Sequence, residues 1–281
     1  GNTGDALIQA GCLRFLKDLG MNVCPSDGRI EKAALLGKVD TIDELLGNFK
    51  AYLFFSGGGN IGIYEENERI RKTVIERAKE AKGILVFPQS CLRVEDCLLD
   101  RRLTVWARDR VSYDKLETAG VKTALVPDAA LYLHDLFPRV SRGKGTFSIL
   151  RREGHCLEKV EHPIRIEADK SEDITFEKGI FSVIKTLEPY EKIVSDRLHG
   201  TLIASMLGKQ TGLLPVAYHK NQSFYETWLS AIEGISFIDG EEDMNEFFRS
   251  KETPNFNGKE LFLSRASKSF AQFLLDSAKA F

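Results

Sequence analysis

Residues Ser195–Gly208 read SDRLHGTLIASMLG, and this stretch decides the fold. Lys192–Ser195 is a short β-type run, after which Leu198, Leu202, Ile203, Met206 and Leu207 recur at helical spacing, so a strand hands over directly to a helix. Gly200, Ala204 and Gly208 keep another face of that helix small enough for close packing. Asp196 stands where a helix cap belongs, and Arg197 and His199 fall in the first turn. Unpaired backbone N–H groups and the positive end of the helix dipole favour an anion at such a turn, and Arg197 adds a forked donor. The turn is therefore expected to hold a phosphate or carboxylate.

The same alternation continues on either side. Apolar runs of buried-strand length occur at Ala51–Phe55, Gly83–Phe87, Leu103–Trp106, Val121–Val126, Thr146–Leu150 and Thr211–Leu214. Helical patterns separate them over Asp5–Leu19, Thr41–Leu46, Glu65–Ala81, Val111–Ala119 and Ile174–Leu187, and a last helix runs from about Leu261 to Phe281. Strands apolar on both faces, alternating with helices, predict an α/β fold with parallel sheets covered on both sides. The opening GNTGD turn normally follows a strand, so a first strand is expected ahead of Gly1.

Polar and glycine-rich turns follow the strands: SGGGN, PQS, ARDR and VPD in the first half, then Arg151 and Arg152, Arg197 and His199, and His219 and Lys220 in the second. In open parallel sheets ligands bind at the carboxyl ends of the strands. The small, basic segment Ser141–Gly145 divides the halves. The expected organisation is two Rossmann-like domains, 1–140 and 146–260, facing across a cleft in a GT-B-like arrangement. The helix 261–281 is expected to cross their junction.

Composition narrows the class. The chain has 281 residues, 43% hydrophobic and 28% charged, as in a globular protein. Its formal net charge of −2 gives no general attraction to nucleic acid or anionic lipid, so an anion site must be local. Cys12, Cys24, Cys91, Cys97 and Cys156 are odd in number and lack metal-ligand spacing, which predicts reduced thiols, no metal and a cytoplasmic protein. No apolar run reaches the roughly 18 residues of a membrane span.

Taken in order, the motifs GNTGDALI, FFSGGGNIG, ILVFPQS, ARDRVSYDKL, LVPDAAL, LRRE, SDRLHGTLIASMLG and HKNQSFYETW resemble the polysaccharide pyruvyl transferase family. The resemblance implies transfer of pyruvate from phosphoenolpyruvate to two hydroxyls of one sugar in a cell-surface polysaccharide or its precursor. The products would be a cyclic ketal and phosphate. It implies no cofactor beyond the donor substrate, no nucleic acid, and at most peripheral membrane contact through the acceptor. Within the family the RLH arginine and histidine are associated with phosphoenolpyruvate, which maps to Arg197 and His199; the ARD arginine maps to Arg108.

Ketal formation from an enol phosphate needs acid and base groups and stabilisers for two anions. Arg197 suits bidentate anion recognition; its alternative is a structural ion pair with Asp196 or Glu191. His199 is the candidate acid or phosphate donor, and its alternative is a core histidine beside Ile203 and Met206. Asp5, Asp128 and Asp196 are candidate bases, each with a structural alternative as a turn or cap residue. Arg108, Arg151, Arg152, Lys220 and Asn221 are candidate substrate ligands, and Gly58, Gly59 and Asn60 would let a substrate approach the backbone. A solvated surface position is the alternative for Arg108. Phe224, Tyr225 and Trp228 read as core before sugar platform. Two competing functions are a nucleotide-sugar GT-B glycosyltransferase and a non-catalytic sugar-phosphate-binding member of the fold.

Overall fold

The apolar runs form two sheets, and every strand pairing in both is parallel. The computed structural model describes residues 3–23, 52–151, 166, 168–173 and 179–279. The expected Thr41–Leu46 helix and the start of the expected Ile174–Leu187 helix lie outside them. The first sheet contains β1 (Tyr52–Phe55), β2 (Gly58–Ile61), β3 (Gly83–Cys91), β4 (Leu103–Ala107) and β5 (Thr123–Leu125), in the order β1-β3-β4-β5 with β2 also on β3. The second contains β6 (Thr146–Ile149), β7 (Lys170–Glu172), β8 (Lys192–Ser195), β9 (Gln210–Leu213) and β10 (Ile235–Phe237), in the order β10-β9-β8-β6-β7. The chain divides into two compact units: Cys12–Ala129 with Phe262–Phe281, hereafter the first unit, and Gly1–Gly11 with Ala130–Leu261, the second. The division falls inside the helices Thr3–Asp18 and Gly258–Lys279.

In the first unit the two-residue period of the strands sorts the core into two faces. Ile84, Val86, Leu103 and Val105 pack with Ile75, Leu116 and Val121. On the other face Phe87 and Trp106, 5.3 Å apart, meet Phe15 from the opening helix and Phe270 from the last. The last helix approaches so closely that a Cβ on Gly83 would lie 2.3 Å from Ser277 Oγ. Burial on both faces is what the continuous apolar strands require.

Two stretches differ from expectation. Ser56–Asn60, read as a loop, runs into β2: the chain leaves the edge of β3 after Phe55 and rejoins it at Gly58, whose φ of 143° favours glycine. β3 continues through Pro88-Gln89-Ser90 to Cys91 instead of stopping at Phe87. Proline is tolerated there because it falls in the register shift of the β4 ladder between Val86 and Gln89 and, on the other side, between the last β1 partner, Val86, and the first β2 partner, Gln89.

In the second unit Phe147, Ile149, Ile193, Val183 and Leu187 pack with Ile203, Ala204 and Leu207 on one face, while Val194, Leu214, Ile238, Met244 and Phe247 form the other. Two buried lysines lock this unit through backbone carbonyls. Lys192 Nζ donates to Phe247, Phe248 and Ser250 oxygens at 2.7–2.9 Å, capping the helix Glu241–Arg249. Lys209 Nζ donates to Ser141 and Glu188 oxygens at 2.6 and 2.7 Å. Lys192→Met should lower stability by about 1–3 kcal/mol in urea denaturation, because it strands these helix-end carbonyls.

The last helix is anchored by a histidine. Gly258 N donates to His134 Nδ1 at 2.7 Å, and the ring also hydrogen-bonds the Met206 backbone. Burial, helped by the charge of Arg139 and opposed by the Met206 bond and Asp135, holds the His134 pKa below its ordinary 6.5. Protonation would remove the acceptor of the Gly258 bond. A depressed folded pKa makes this stabilisation fully present above pH 6.5 and lost as pH falls through the folded value. Thermal unfolding followed from about pH 7.5 down to about pH 5 should show a fall in the parent that His134→Gln flattens.

Candidate active site

The strand-to-helix turn after β8 is built by short-range bonds. Ser195 Oγ accepts from Arg197 N at 2.9 Å and donates to Arg197 O at 3.0 Å, closing the turn. The helix Leu198–Met206 then starts with Arg197, not Asp196, at its cap position, and no side chain caps it. Asp196 is drawn away because its buried carboxylate accepts the Arg151 amide with both oxygens at 3.1 Å, joining the end of β6 to the end of β8. A tertiary bond outcompetes the local cap.

Arg197 is held in a fork by Asp173. Its Nε and Nη2 donate to the two carboxylate oxygens of Asp173 at 2.6 and 2.7 Å, with 18% and 8% of the side chains exposed. Asp173 directly follows β7, and β6 alone separates β7 from β8. This bidentate pair fixes the plane of the guanidinium. The helix that follows buries every residue from Leu198 to Met206 except His199, which is half-buried. Gly200 permits this packing, since a Cβ there would lie 2.5 Å from Ser195 Oγ.

Asn221 ties two strand ends together: its Nδ2 donates to Asp196 O at 3.0 Å and Leu214 O at 2.8 Å. Both amide hydrogens are thereby committed to the scaffold. Lys220 is buried, with its ammonium 5.1 Å from the Tyr218 ring centre. Of the aromatics, Phe224 is core, Tyr225 packs 5.7 Å from Phe237, and Trp228 is half-buried. The second unit thus gathers Arg151, Asp196, Arg197 and Asn221 into one set of bonded turns at the carboxyl ends of β6, β8 and β9. Asp5 is exposed in the first turn of the Thr3–Asp18 helix. Arg152 lies outside the described residues.

The first unit has its own polar cluster at the ends of β3, β4 and β5. Arg108 is 2% exposed, so it is not a solvated surface residue; Nε donates to Ser90 Oγ at 2.8 Å and Nη1 to Asp128 at 2.9 Å. Ser90 Oγ donates to Asp109, which caps the helix Arg110–Thr118 through Ser112 N. The PQS, ARDR and VPD turns are one buried network. Asp128 serves there as the counter-ion of Arg108. Gly58, Gly59 and Asn60 belong to β2, beside Gln89.

The sequence reading takes in Gln89 only as part of the PQS turn and Ser195 only as the end of a strand, and it does not assign Asp173 to a turn. Ser195 carried a signal, since a hydroxyl just before a helix commonly bonds nearby backbone. Asp173 carried none.

Among the described residues no helix is long and apolar enough to cross a membrane, and no group of acidic, histidine and cysteine side chains could hold a metal ion. Cys12, Cys91 and Cys97 are free thiols, each pushed up to about 12 chiefly by burial.

Two all-parallel sheets flanked by helices, with polar turns at the strand ends, define a mixed α/β protein consistent with the two-domain GT-B-like class. A solved structure, that of a functionally uncharacterized protein from Klebsiella pneumoniae, shares this fold with a TM-score of 0.60 at 18% identity, covering 85% of this chain and 90% of that one. A model of the polysaccharide pyruvyl transferase family matches residues 2–218, and the chain belongs to that family. It is also similar to EpsO of Bacillus subtilis (strain 168), a protein provisionally named a pyruvyl transferase, with 21% identity over 291 residues and 85% of each chain covered.

The Arg108 network makes a direct prediction. Asp128→Ala should cost about 3–5 kcal/mol by urea denaturation because it removes a buried carboxylate bonded to the buried Arg108 guanidinium, and Arg108→Met combined with Asp128→Leu should cost less than the single change.

Proposed function

We propose that this protein transfers pyruvate from phosphoenolpyruvate to a sugar of a cell-surface polysaccharide or its precursor, on the cytoplasmic side, forming a cyclic ketal. Family membership supports pyruvyl transfer to polysaccharide in general. The observation that carries the finer reading is the turn after β8, where Arg197 occupies the start of a buried helix with its guanidinium plane fixed by Asp173.

The chemistry follows from the donor. A proton is delivered to the methylene carbon of the enol phosphate, a sugar hydroxyl loses its proton as it attacks the central carbon, and phosphate leaves as the second hydroxyl closes the ring. The donor brings a carboxylate and a phosphate, so fixed positive charge and backbone N–H groups are the first requirement. Arg197 and the first turn of its helix meet that requirement. His199, two residues on and partly exposed, is the proton carrier or the phosphate donor. Asn221 and Asp196 hold the turn in register, and Asp173 orients the arginine. Lys220 and Arg151 are further cationic groups of the same unit.

Phosphate release from phosphoenolpyruvate in the presence of lipid-linked or nitrophenyl sugars tests the reaction, with nucleotide sugars as the competing donors. Arg197→Ala should weaken phosphoenolpyruvate about tenfold or more, since a charge-assisted hydrogen bond contributes about 1.5–3 kcal/mol, and Arg197→Lys should recover only part of it. His199→Gln should retain binding better than turnover if the imidazole moves the proton. Parent-like affinity and rate in both Arg197→Ala and His199→Gln would defeat this reading.

A further inference from the structure

Behind β2 the first unit holds an ion pair that no step above uses. Arg71, on the inner side of the helix Glu65–Arg77, and Glu95, in the segment after β3, are 5% and 1% exposed and bonded through Arg71 Nη1 and both Glu95 oxygens. Glu95 Oε1 also accepts Gly62 N at 2.9 Å. Gly62 has φ 71°, and a Cβ there would meet the Arg93 carbonyl oxygen at 2.1 Å. The chain leaving β2 is thus fixed against the pair. From the other end of the guanidinium, Nη2 donates to Asn60 Oδ1 at 2.7 Å. Gln89 grips the same turn from β3: its Oε1 accepts Asn60 N at 3.2 Å and its Nε2 donates to Ser56 O at 2.9 Å.

A guanidinium only donates, so it dictates which end of the Asn60 amide faces it. Oδ1 must point inward to Arg71, and Nδ2 must point the other way. Asn60 is half-buried at the carboxyl end of the sheet, and its Nδ2 bonds no acceptor among the described residues. We propose that the Arg71–Glu95 pair is a positioning device, which turns the Asn60 amide so that Nδ2 is offered as a neutral donor to a substrate oxygen. Asn60 touches the substrate; Arg71 and Glu95 act through it. The naming of that substrate rests on the pyruvyl transfer reading, and the oxygen belongs either to a sugar hydroxyl or to phosphoenolpyruvate.

The test follows the side-chain amide of Asn60 by NMR in protein labelled with nitrogen-15 asparagine, its signals assigned by their loss in Asn60→Asp. In the first arm no ligand is present. Arg71→Met combined with Glu95→Gln removes both buried charges and keeps an acceptor for Gly62 N; it should shift the Asn60 Nδ2 signals and collapse their dispersion while the other asparagines stay in place. Should that variant not fold, Arg71→Lys keeps the charge pair but offers a compact ammonium in place of the fork, and the same loss is expected. Unchanged Asn60 signals in the folded variant overturn the positioning role. In the second arm phosphoenolpyruvate and, separately, nitrophenyl glycosides are titrated, with calorimetry reporting binding. One of them should shift the parent Asn60 signals, and the double variant should bind that ligand about three- to tenfold more weakly, as loss of one neutral hydrogen bond predicts. A ligand that binds the parent and the double variant equally, leaving Asn60 unmoved in both titrations, overturns the substrate contact. If neither ligand binds the parent, it is the functional reading that fails, and the first arm still decides the positioning role.

Discussion

A charge removed from water must meet a fixed partner, and that constraint shapes three of the polar clusters beside the carboxyl ends of these sheets. Arg71 meets Glu95, Arg108 meets Asp128, and Arg197 meets Asp173. In each case the arginine and the carboxylate come from different elements of the chain, so the pair forms only when both are in place. Lys192 and Lys209 follow the same rule with backbone carbonyls in place of carboxylates. Well-packed apolar side chains of similar volume could hold the sheets together about as firmly. They could not dictate which end of an amide points inward, or on which side of a serine the hydroxyl hydrogen lies. The ion pairs therefore account for the geometry of the turns more than for the cohesion of the core.

How much of this is legible in the sequence depends on the range of the interactions involved. Lys192–Ser195 is a strand as read, and most other apolar runs lie within a residue or two of theirs, because burial on both faces leaves a continuous signal. β7 leaves none: Lys-Ser-Glu is mostly exposed and earns its place by pairing with β6. β2 was hidden by glycines, which read as loop when they in fact permit the chain to rejoin β3. The helix Glu241–Arg249 buries only Met244 and Phe247, too few apolar positions to announce a period.

The candidate site was legible by type and illegible by partner. An arginine and a histidine at the start of a buried helix could be picked out from spacing alone. That Arg197 bonds Asp173 could not, since the two are 24 residues apart and are neighbours only through the strand order β8-β6-β7. Asp196 shows the converse failure, where a correct local preference for a cap yields to the Arg151 amide. Arg108 shows a third: a charged residue after a strand suggests a substrate ligand or a solvated surface position, yet it is buried and bonded to Ser90 and Asp128.

The position of His199 carries the last step. A helix buried on all sides offers no solvent face on which a polar residue can rest, and the residues from Gly200 to Met206 are buried without exception. The first turn is different, because its backbone N–H groups have no partner inside the helix and require one from outside. Arg197 and His199 flank that requirement, one at the cap and one at the second helical position. Within this helix partial exposure is left to His199 in the first turn because packing buries every other position, and the forked bond to Asp173 fixes the plane of the arginine that precedes it.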